Sequence, residues 1–505
     1  MNSYVDYIRE ISADDVLEGF LGYGLFADQL PNIFTSQPFY DYCIDRKDFG
    51  FAKAPCDYIR YESMRNVNVP RAISIPNPFA YALLCKHISE YWNKIVSVLD
   101  DKTKNQKHII SQIHIQKLKD KKSLFQMCLN YENKDRENLE SIQKIHVTKR
   151  VRVDADISNC FPSIYSHSLC WALVGKTEAK EHKSDSNLWY NKMDMFCRNV
   201  KNGETNGLLI GPHASNLLSE LVLCSMDAEL LGKYIYVRNI DDFTCYVDSD
   251  KEAESFLLDL NAALKQYELN INTKKTQIRK LPITSDTDWV AALNSFFIGC
   301  DKTEDERIVF EYQRLKSYLD FAIQLSNKTG NNSVFVYVIK VIAGCHLGQK
   351  ALRYYLDILH HLVCLYPYLV HWMEEFVFSR FDVSKDEIRT IANNVYSMGK
   401  ERRVYEACSF SLYWSLKHKI SIIAYYVDDA IISGDCIFLT VSWMLAKRNK
   451  DKEQQKKLKA HAQSLLGDLN KYWLFVYEAL SKEQLPDNDF KAIKNKGISF
   501  LRNDI

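Results

Sequence analysis

Acidic residues at two places in the chain have the types and spacing to hold metal ions. In Arg150-Val151-Arg152-Val153-Asp154-Ala155-Asp156, polarity alternates residue by residue. That period predicts a strand burying Val151, Val153 and Ala155 on one face and projecting Asp154 and Asp156 from the other. Eighty-five residues beyond Asp156, Asp241-Asp242 stands between two β-rich runs within Tyr234 to Val247. This is the pattern of a hairpin with paired carboxylates at its turn. Each signal is weak alone, since a strand ending in Asp occurs in many folds and Asp favours turns anyway. Together they mean more, because like charges in one site drive a carboxyl pKa upward unless a cation compensates. Hard oxygen ligands suit Mg²⁺ or Mn²⁺. Two such ions about 4 Å apart can activate an attacking hydroxyl and stabilise a leaving pyrophosphate. The chemistry indicated at Asp156, Asp241 and Asp242 is phosphoryl transfer.

Elements around these residues must position them. The strand is expected to end at Ser158-Asn159, with Phe161-Pro162 beginning a turn into a helix near Ser166. Between the two acidic segments lies Gly207 to Leu221, where Gly211-Pro212 marks a tight turn with Pro near a helix start. Leu217, Leu218, Leu221 and Val222 give that helix one apolar face. Gly211 lets the backbone come close to a bound strand or base pair. After the hairpin, Leu269 to Thr276 carries Lys275, which beside a triphosphate would protonate the departing pyrophosphate. In isolation the same lysine would be surface decoration.

With 505 residues, 47% hydrophobic and 26% charged, the chain has the composition of a soluble globular protein with two or three domains and a large core. No apolar run reaches about twenty residues, which argues against a membrane span. The start, MNSYVDYIREISADD, lacks a basic lead followed by an apolar core, so no signal peptide and a cytoplasmic location are expected. The fourteen cysteines form no CxxC pair or Cys/His cluster and read as reduced thiols. Net charge is only +1, but residues 101–150 carry twelve Lys/Arg against six Asp/Glu, and Lys447 to Lys459 carries seven against two. Each run suits a groove that tracks a nucleic-acid backbone, or simply a solvated face. The expected class is α+β with three regions. Residues 1–150 mix helical periodicity with the turn VPRAISIPNPFAY. Residues 151–303 alternate strand and helix. Residues 304–505 are almost entirely helical, with apolar positions such as Leu356, Leu359, Val363 and Tyr366, a pattern compatible with a stacked helical array.

The order of the central segments resembles the palm of reverse transcriptases. The strand with Asp156 looks like motif A, Gly211-Pro212 like motif B, the Asp241-Asp242 hairpin like motif C, and Asn272 to Thr276 like motif D. Phe296-Phe297-Ile298-Gly299 is a weaker match to motif E. The resemblance implies a right-hand-like polymerase with an N-terminal element and fingers in 1–150, a palm in 151–303 and a helical C-terminal domain in 304–505. It implies metal coordination by Asp156, Asp241 and Asp242, and a steric gate against ribose at Phe161. It also implies a triphosphate contact by the fingers residue Arg71, with Arg65 as a second candidate. The wording of DISNCFPSIYSHS, GLLIGPHASNLLSE and GYGLFADQLPNIFTSQPFYDY is similar to bacterial defence-associated reverse transcriptases, including the abortive-infection group typified by AbiK. That implies an anti-phage role, dNTP substrates, a DNA product and homo-oligomers. Some members prime from a protein hydroxyl without a conventional template and others copy a partner non-coding RNA; both alternatives stay open. Motif C departs from the family at Asn239, where Tyr or Phe is usual, which bears on the packing beneath a primer terminus. Motif B has Ile210 where Gln is frequent, which bears on a polar template contact.

Tyr425-Tyr426-Val427-Asp428-Asp429 is a closer literal match to motif C, yet no Gly-Pro helix start or Asn-x-x-Lys-Thr element brackets it. It reads as a helix end with exposed acids, near a break at Ser433-Gly434-Asp435. His360-His361 and His418 read as packing residues. Two other functions compete with DNA synthesis. A silent polymerase-fold scaffold that binds RNA would be favoured by a lost carboxylate, and none is lost. An RNA-dependent RNA polymerase would be favoured by a small residue at 161, where Phe stands.

Overall fold

The computed structural model describes residues 4–46, 49–112, 115–117, 125–126, 147–283 and 288–502. Most of the first basic run lies outside the described residues. The chain is α+β as expected, with two β-elements that concern the site and a long helical C-terminal region.

The first is an antiparallel hairpin, β1 (Tyr58–Met64) and β2 (Pro70–Pro76), in which Ser63 pairs with Arg71 and Met64 with Pro70. The helix α1 (Pro78–Glu90) follows directly. Asn77 caps it by accepting hydrogen bonds from the N–H groups of Phe79 and Ala80, at 2.9 and 3.3 Å, and Pro78 occupies its first turn. After α2 (Trp92–Thr103) comes the second element, an antiparallel four-stranded sheet. It is built from β3 (Val151–Asp156), β4 (Ile235–Asn239), β5 (Asp242–Val247) and β6 (Gln277–Lys280), in the order β4-β5-β3-β6. Val151, Val153 and Ala155 are buried on the helix side of β3, as its alternation predicts.

Between β3 and β4 run α3 (His167–Val174), α4 (Trp189–Asn199) and α5 (His213–Glu229); α6 (Asp250–Gln266) follows β5. Helix α5 packs against α2, α3 and α6. The expected single apolar face of α5 understates its burial. His213 to Asp227 is buried almost throughout, with Glu220 and Asp227 inside. A helix hidden on all sides keeps acids only where a buried cation meets them.

The C-terminal region runs through α7 (Tyr312–Thr329), α8 (Ser333–Ile342), α9 (Gln349–Leu365), α10 (Lys385–Arg402), α11 (Tyr405–His418), α12 (Tyr426–Ser433), α13 (Cys436–Arg448), α14 (Lys452–Ser464), α15 (Leu469–Ala479) and α16 (Asn488–Asn495). Helices α11, α13 and α15 all pack on β1. The buried Glu406 of α11 accepts the N–H of Met64 at 2.8 Å. The chain end then returns to the N-terminal region. Thr35 N–H donates to the Phe500 carbonyl at 2.9 Å, and Arg502 N–H to the Ile33 carbonyl at 2.8 Å. Phe500 is fully buried, with ring centroids 4.9 Å from Trp473, 5.5 Å from Phe39 and 6.3 Å from Phe26. No helix is long and apolar enough to cross a membrane among the described residues. The thirteen described cysteines are unpaired thiols, most of them buried.

Because Phe500 joins three parts of one aromatic cluster, Phe500→Ala should lower the unfolding free energy by about 3–5 kcal/mol. An unfolding free energy from urea titration that falls by less than about 1 kcal/mol would show that Phe500 is dispensable to the core.

Candidate active site

The site is assembled where β3 ends beside the β4–β5 turn. Asp156 pairs in register with Asp242, and Asn239 with Asp242 across the hairpin. Registration thus brings a carboxylate from position 156 next to two from positions 241 and 242. Asp156 is 4% exposed and its carboxylate is held from the far side by the loop after α6. Asn272 Nδ2 donates to its Oδ1 at 2.9 Å and Lys275 Nζ to its Oδ2 at 2.6 Å. The Asn272 N–H also donates to the Asp156 carbonyl at 2.7 Å. Lys275 is the lysine that contacts this carboxylate, and the contact raises its own pKa.

Burial, then Asp156, raises the Asp241 carboxyl above its ordinary value, against the lowering fields of Lys275 and Arg71. Burial, then Asp241 and a hydrogen bond with Asp156, pushes Asp242 up to about 6. The three aspartates nevertheless do not close to within 4.8 Å of one another; among the described residues Glu178, Glu181 and His182 on an exposed helix do so. The residues fit divalent cations chemically: all three are hard oxygen donors whose crowding penalises ionisation unless positive charge is added.

The hairpin turn has an unusual build. Its two central residues are Ile240 and Asp241, and Ile240 has φ +57°. Glycine is the usual residue at such a first turn position, and a β-branched residue there stores about 1–3 kcal/mol. The turn is held by its carbonyls. Arg238 Nη1 donates to Ile240 O at 3.0 Å, and Ile157 N–H to Asp241 O at 3.1 Å. Arg238 is fully buried and held in turn by α5. It meets Glu220 through Nη1 and Nη2 at 3.0 Å each, and Asp227 through Nε at 2.8 Å. Tyr4 Oη donates to Glu220 at 2.9 Å and Tyr236 Oη to Asp227 at 3.0 Å. Burial alone would raise Glu220, but Arg238 outweighs it and the carboxyl lies below its ordinary value; burial keeps Asp227 above its own. The sequence reading missed Arg238. The missed signal is phase: β4 turns Tyr236 and Arg238 inward and leaves Ile235 exposed, opposite to what hydropathy suggests.

The remaining site residues are distributed around this centre. Arg71 lies on the exposed start of β2, close enough for its charge to act on Asp241. Arg65 sits at the β1–β2 tip, where its N–H donates to Val69 O at 3.2 Å, and it lines a neighbouring cleft with Arg71. Phe161 falls in a four-residue helix, Cys160–Ser163, before α3, and is partly buried. Its carbonyl accepts Leu208 N–H at 2.8 Å. Gly211 has φ +126°, and a Cβ there would stand 2.9 Å from Ile73 Cγ2 and Ser74 O. The close approach that it permits is therefore to β2. Phe296 and Phe297 pack against Tyr318 of α7, at 5.5 and 5.4 Å, away from the aspartates in sequence and at the entry to the helical region. The Tyr425–Asp429 segment opens α12, and both acids are ion-paired: Asp429 with Lys400 at 2.7 Å, Asp428 with Lys457 at 3.2 Å. His418 bonds buried Glu374 at 2.8 Å and His360 bonds Asn394 at 3.0 Å, as packing residues.

Residues 86–301 match the family model described as reverse transcriptase (RNA-dependent DNA polymerase). The chain therefore carries a reverse transcriptase domain, the domain of a nucleotidyltransferase, and the three aspartates fall within it. No curated protein matches the chain. Similar solved structures include telomerases from Candida. A C-terminally truncated apo telomerase from Candida tropicalis is 14% identical, over 46% of this chain and 52% of that one, with a TM-score of 0.28. Telomerase from Candida albicans in complex with the TWJ fragment of telomeric RNA is 12% identical, over 85% and 65%, with a TM-score of 0.29. Apo telomerase from Candida tropicalis is 10% identical, over 84% and 72%, with a TM-score of 0.32. The chain thus spans 52% and 65% of the length of the first two.

Two outcomes are expected here. Arg238→Met leaves Glu220 and Asp227 buried without their cation, which should destabilise the protein by about 3–5 kcal/mol. Adding Glu220→Gln and Asp227→Asn should recover part of that in urea unfolding, and no recovery would break the link to charge. The second concerns pH. A carboxyl raised to about 6 in the fold, as at Asp242, adds stability below its unfolded value near 4 and loses it as pH rises through 6. Its anion is the cation-binding form, so Mn²⁺ binding followed by electron paramagnetic resonance should weaken as pH falls from 7 to 5. Asp242→Asn should flatten that dependence.

Proposed function

We propose that the chain is an RNA-directed DNA polymerase that adds dNTPs at Asp156, Asp241 and Asp242. The observation that carries this reading is the register that sets Asp156 against Asp242 within the matched domain. Asp156, Asp241 and Asp242 would hold Mg²⁺, with Mn²⁺ as a substitute. When bound, these ions would supply charge compensation for the phosphates and activation of the primer hydroxyl. The chain's own residues do the rest. Arg71, whose field reaches Asp241, orients the triphosphate, and Arg65 extends that positive edge. Lys275 lies on Asp156 and is placed to deliver a proton to the leaving pyrophosphate. Phe161, a bulky ring one short turn beyond β3, selects deoxyribose, and Gly211 keeps the motif B backbone tight against β2.

The same reading divides the chain into fingers (1–150), palm (151–303) and a helical C-terminal domain (304–505). The motif wording supports membership of the defence-associated, abortive-infection group, with a cytoplasmic homo-oligomer acting against phage. It supports an RNA template or a partner non-coding RNA and, equally, protein-primed untemplated synthesis. A polymerase-fold RNA scaffold without synthesis is the competing reading, and intact carboxylates weigh against it. Purified protein should incorporate dNTPs in preference to rNTPs. Asp241→Asn with Asp242→Asn should reduce incorporation to the background of a no-enzyme control, with an unchanged melting temperature at low pH. Undiminished incorporation in the double variant would remove the assignment.

A further inference from the structure

The start of β2 has little of its own to hold it in place. Pro70, Arg71 and Ala72 are exposed, and burial begins only at Ile73. Their position is inherited across the hairpin from β1, where Ser63 pairs with Arg71 and Met64 with Pro70. Met64 is gripped in turn by Glu406, which is 1% exposed and accepts the Met64 N–H through Oε2 at 2.8 Å. The other carboxylate oxygen, Oε1, lies 2.7 Å from His371 Nε2. A carboxylate so buried keeps the hydrogen bonds it has, since water cannot replace them. Glu406 stands in the first turn of α11, where the positive end of a helix favours an anion. No Lys or Arg is ion-paired with it among the described residues, so the imidazole is what faces its second oxygen. Phe410 packs edge-on against that imidazole at 5.2 Å. A second tie runs the same way from the hairpin tip: Asn66 Nδ2 donates to Ser333 Oγ and Asn332 Nδ2 to Asn66 O, each at 2.7 Å. Both ties come from the helical C-terminal region, more than 250 residues away in sequence from the hairpin that they hold.

We propose that Glu406, held by His371, is a positioning residue for nucleotide binding: through the Met64 N–H it fixes the start of β2 so that Arg71 meets the triphosphate. One hydrogen bond holds Met64, and Met64 is next to Ser63, the residue that pairs with Arg71. Loss of the grip leaves Arg71 charged and present but misplaced, and a displacement of about 1 Å is enough to cost up to about a hundredfold in such a contact. Because the contact is made in the bound nucleotide before reaction, the loss falls on KM more than on kcat. The role rests on the reading of Arg71 as the triphosphate contact; the grip of Glu406 on β1 does not.

The test is a double-variant cycle on full-length protein in the dNTP incorporation assay, with hydrogen–deuterium exchange of the β1–β2 hairpin measured beside it. Glu406→Ala should speed exchange of the hairpin amides, that of Met64 above all. It should also raise the dNTP KM about tenfold, with kcat changed by less than about threefold. Glu406→Gln, whose carbonyl still accepts the Met64 N–H, should stay near wild type in both measurements. Arg71→Ala should raise KM at least as far as Glu406→Ala does. Arg71→Ala with Glu406→Ala should raise it no further than Arg71→Ala alone, since nothing is then left to misplace, whereas independent effects would multiply. Unchanged hairpin exchange in Glu406→Ala, an unchanged KM there, or effects that multiply would overturn the proposal. No incorporation by the wild-type protein, or a wild-type KM in Arg71→Ala, would remove the triphosphate reading and this role with it; the exchange measurement tells that failure from a failure of the grip itself. If Glu406→Ala fails to fold, Glu406→Asp, which keeps the charge and shortens the reach, takes its place in the cycle with the same expected outcomes.

Discussion

A buried guanidinium carries the geometry of this protein's centre. Arg238 reaches from β4 into α5, where two carboxylates meet it, and it also grips the carbonyl of Ile240 in the turn bearing Asp241. Taking that charge out of water is unfavourable unless the geometry of its partners is good. Five hydrogen bonds to Arg238 and its acids, counting those from Tyr4 and Tyr236, meet that condition. The result is a rigid connection from a helix core to a hairpin tip that an unfavourable φ would otherwise relax. Anions are crowded at the surface of the sheet, and acids outnumber cations beneath it too: two acids meet one arginine.

Crowding at the tip and order beneath it are two sides of one arrangement. Asp242 is pushed up to about 6 because burial and neighbouring carboxyls oppose its charge. Lys275 relieves the neighbour, Asp156, from one side only. A site that is unfavourable to its own fold at neutral pH is one that gains from added cations, so affinity for them and instability without them have a common cause.

Much of this was legible in the sequence because it is local. The alternation through Val151 to Asp156 marks β3, and two β-rich runs around Asp241-Asp242 mark the hairpin. Context also excluded the closer literal motif at Tyr426 to Asp429, which the structure makes a helix start with both acids paired. What was not legible depends on residues distant in sequence. Arg238 looks like a surface residue between β-formers until Glu220 and Asp227 are known to face it. The burial of α5 on every side depends on α2, α3 and α6. Gly211 suggested proximity to a ligand, whereas its missing Cβ makes room for Ile73 and Ser74 of the chain itself.

The packing of Phe500 and Arg502 against residues 33–39 sets a timetable for biosynthesis. Phe500 completes the aromatic cluster that joins the N-terminal region to α15, and Ile33 to Thr35 have their partners only there. At about 5–20 residues per second a ribosome needs roughly half a minute or more to reach it. Through that interval the β1–β2 hairpin awaits the helices it rests on. A chain stopped short of Phe500 therefore carries Asp156, Asp241 and Asp242 without the aromatic cluster that joins residues 33–39 to α15.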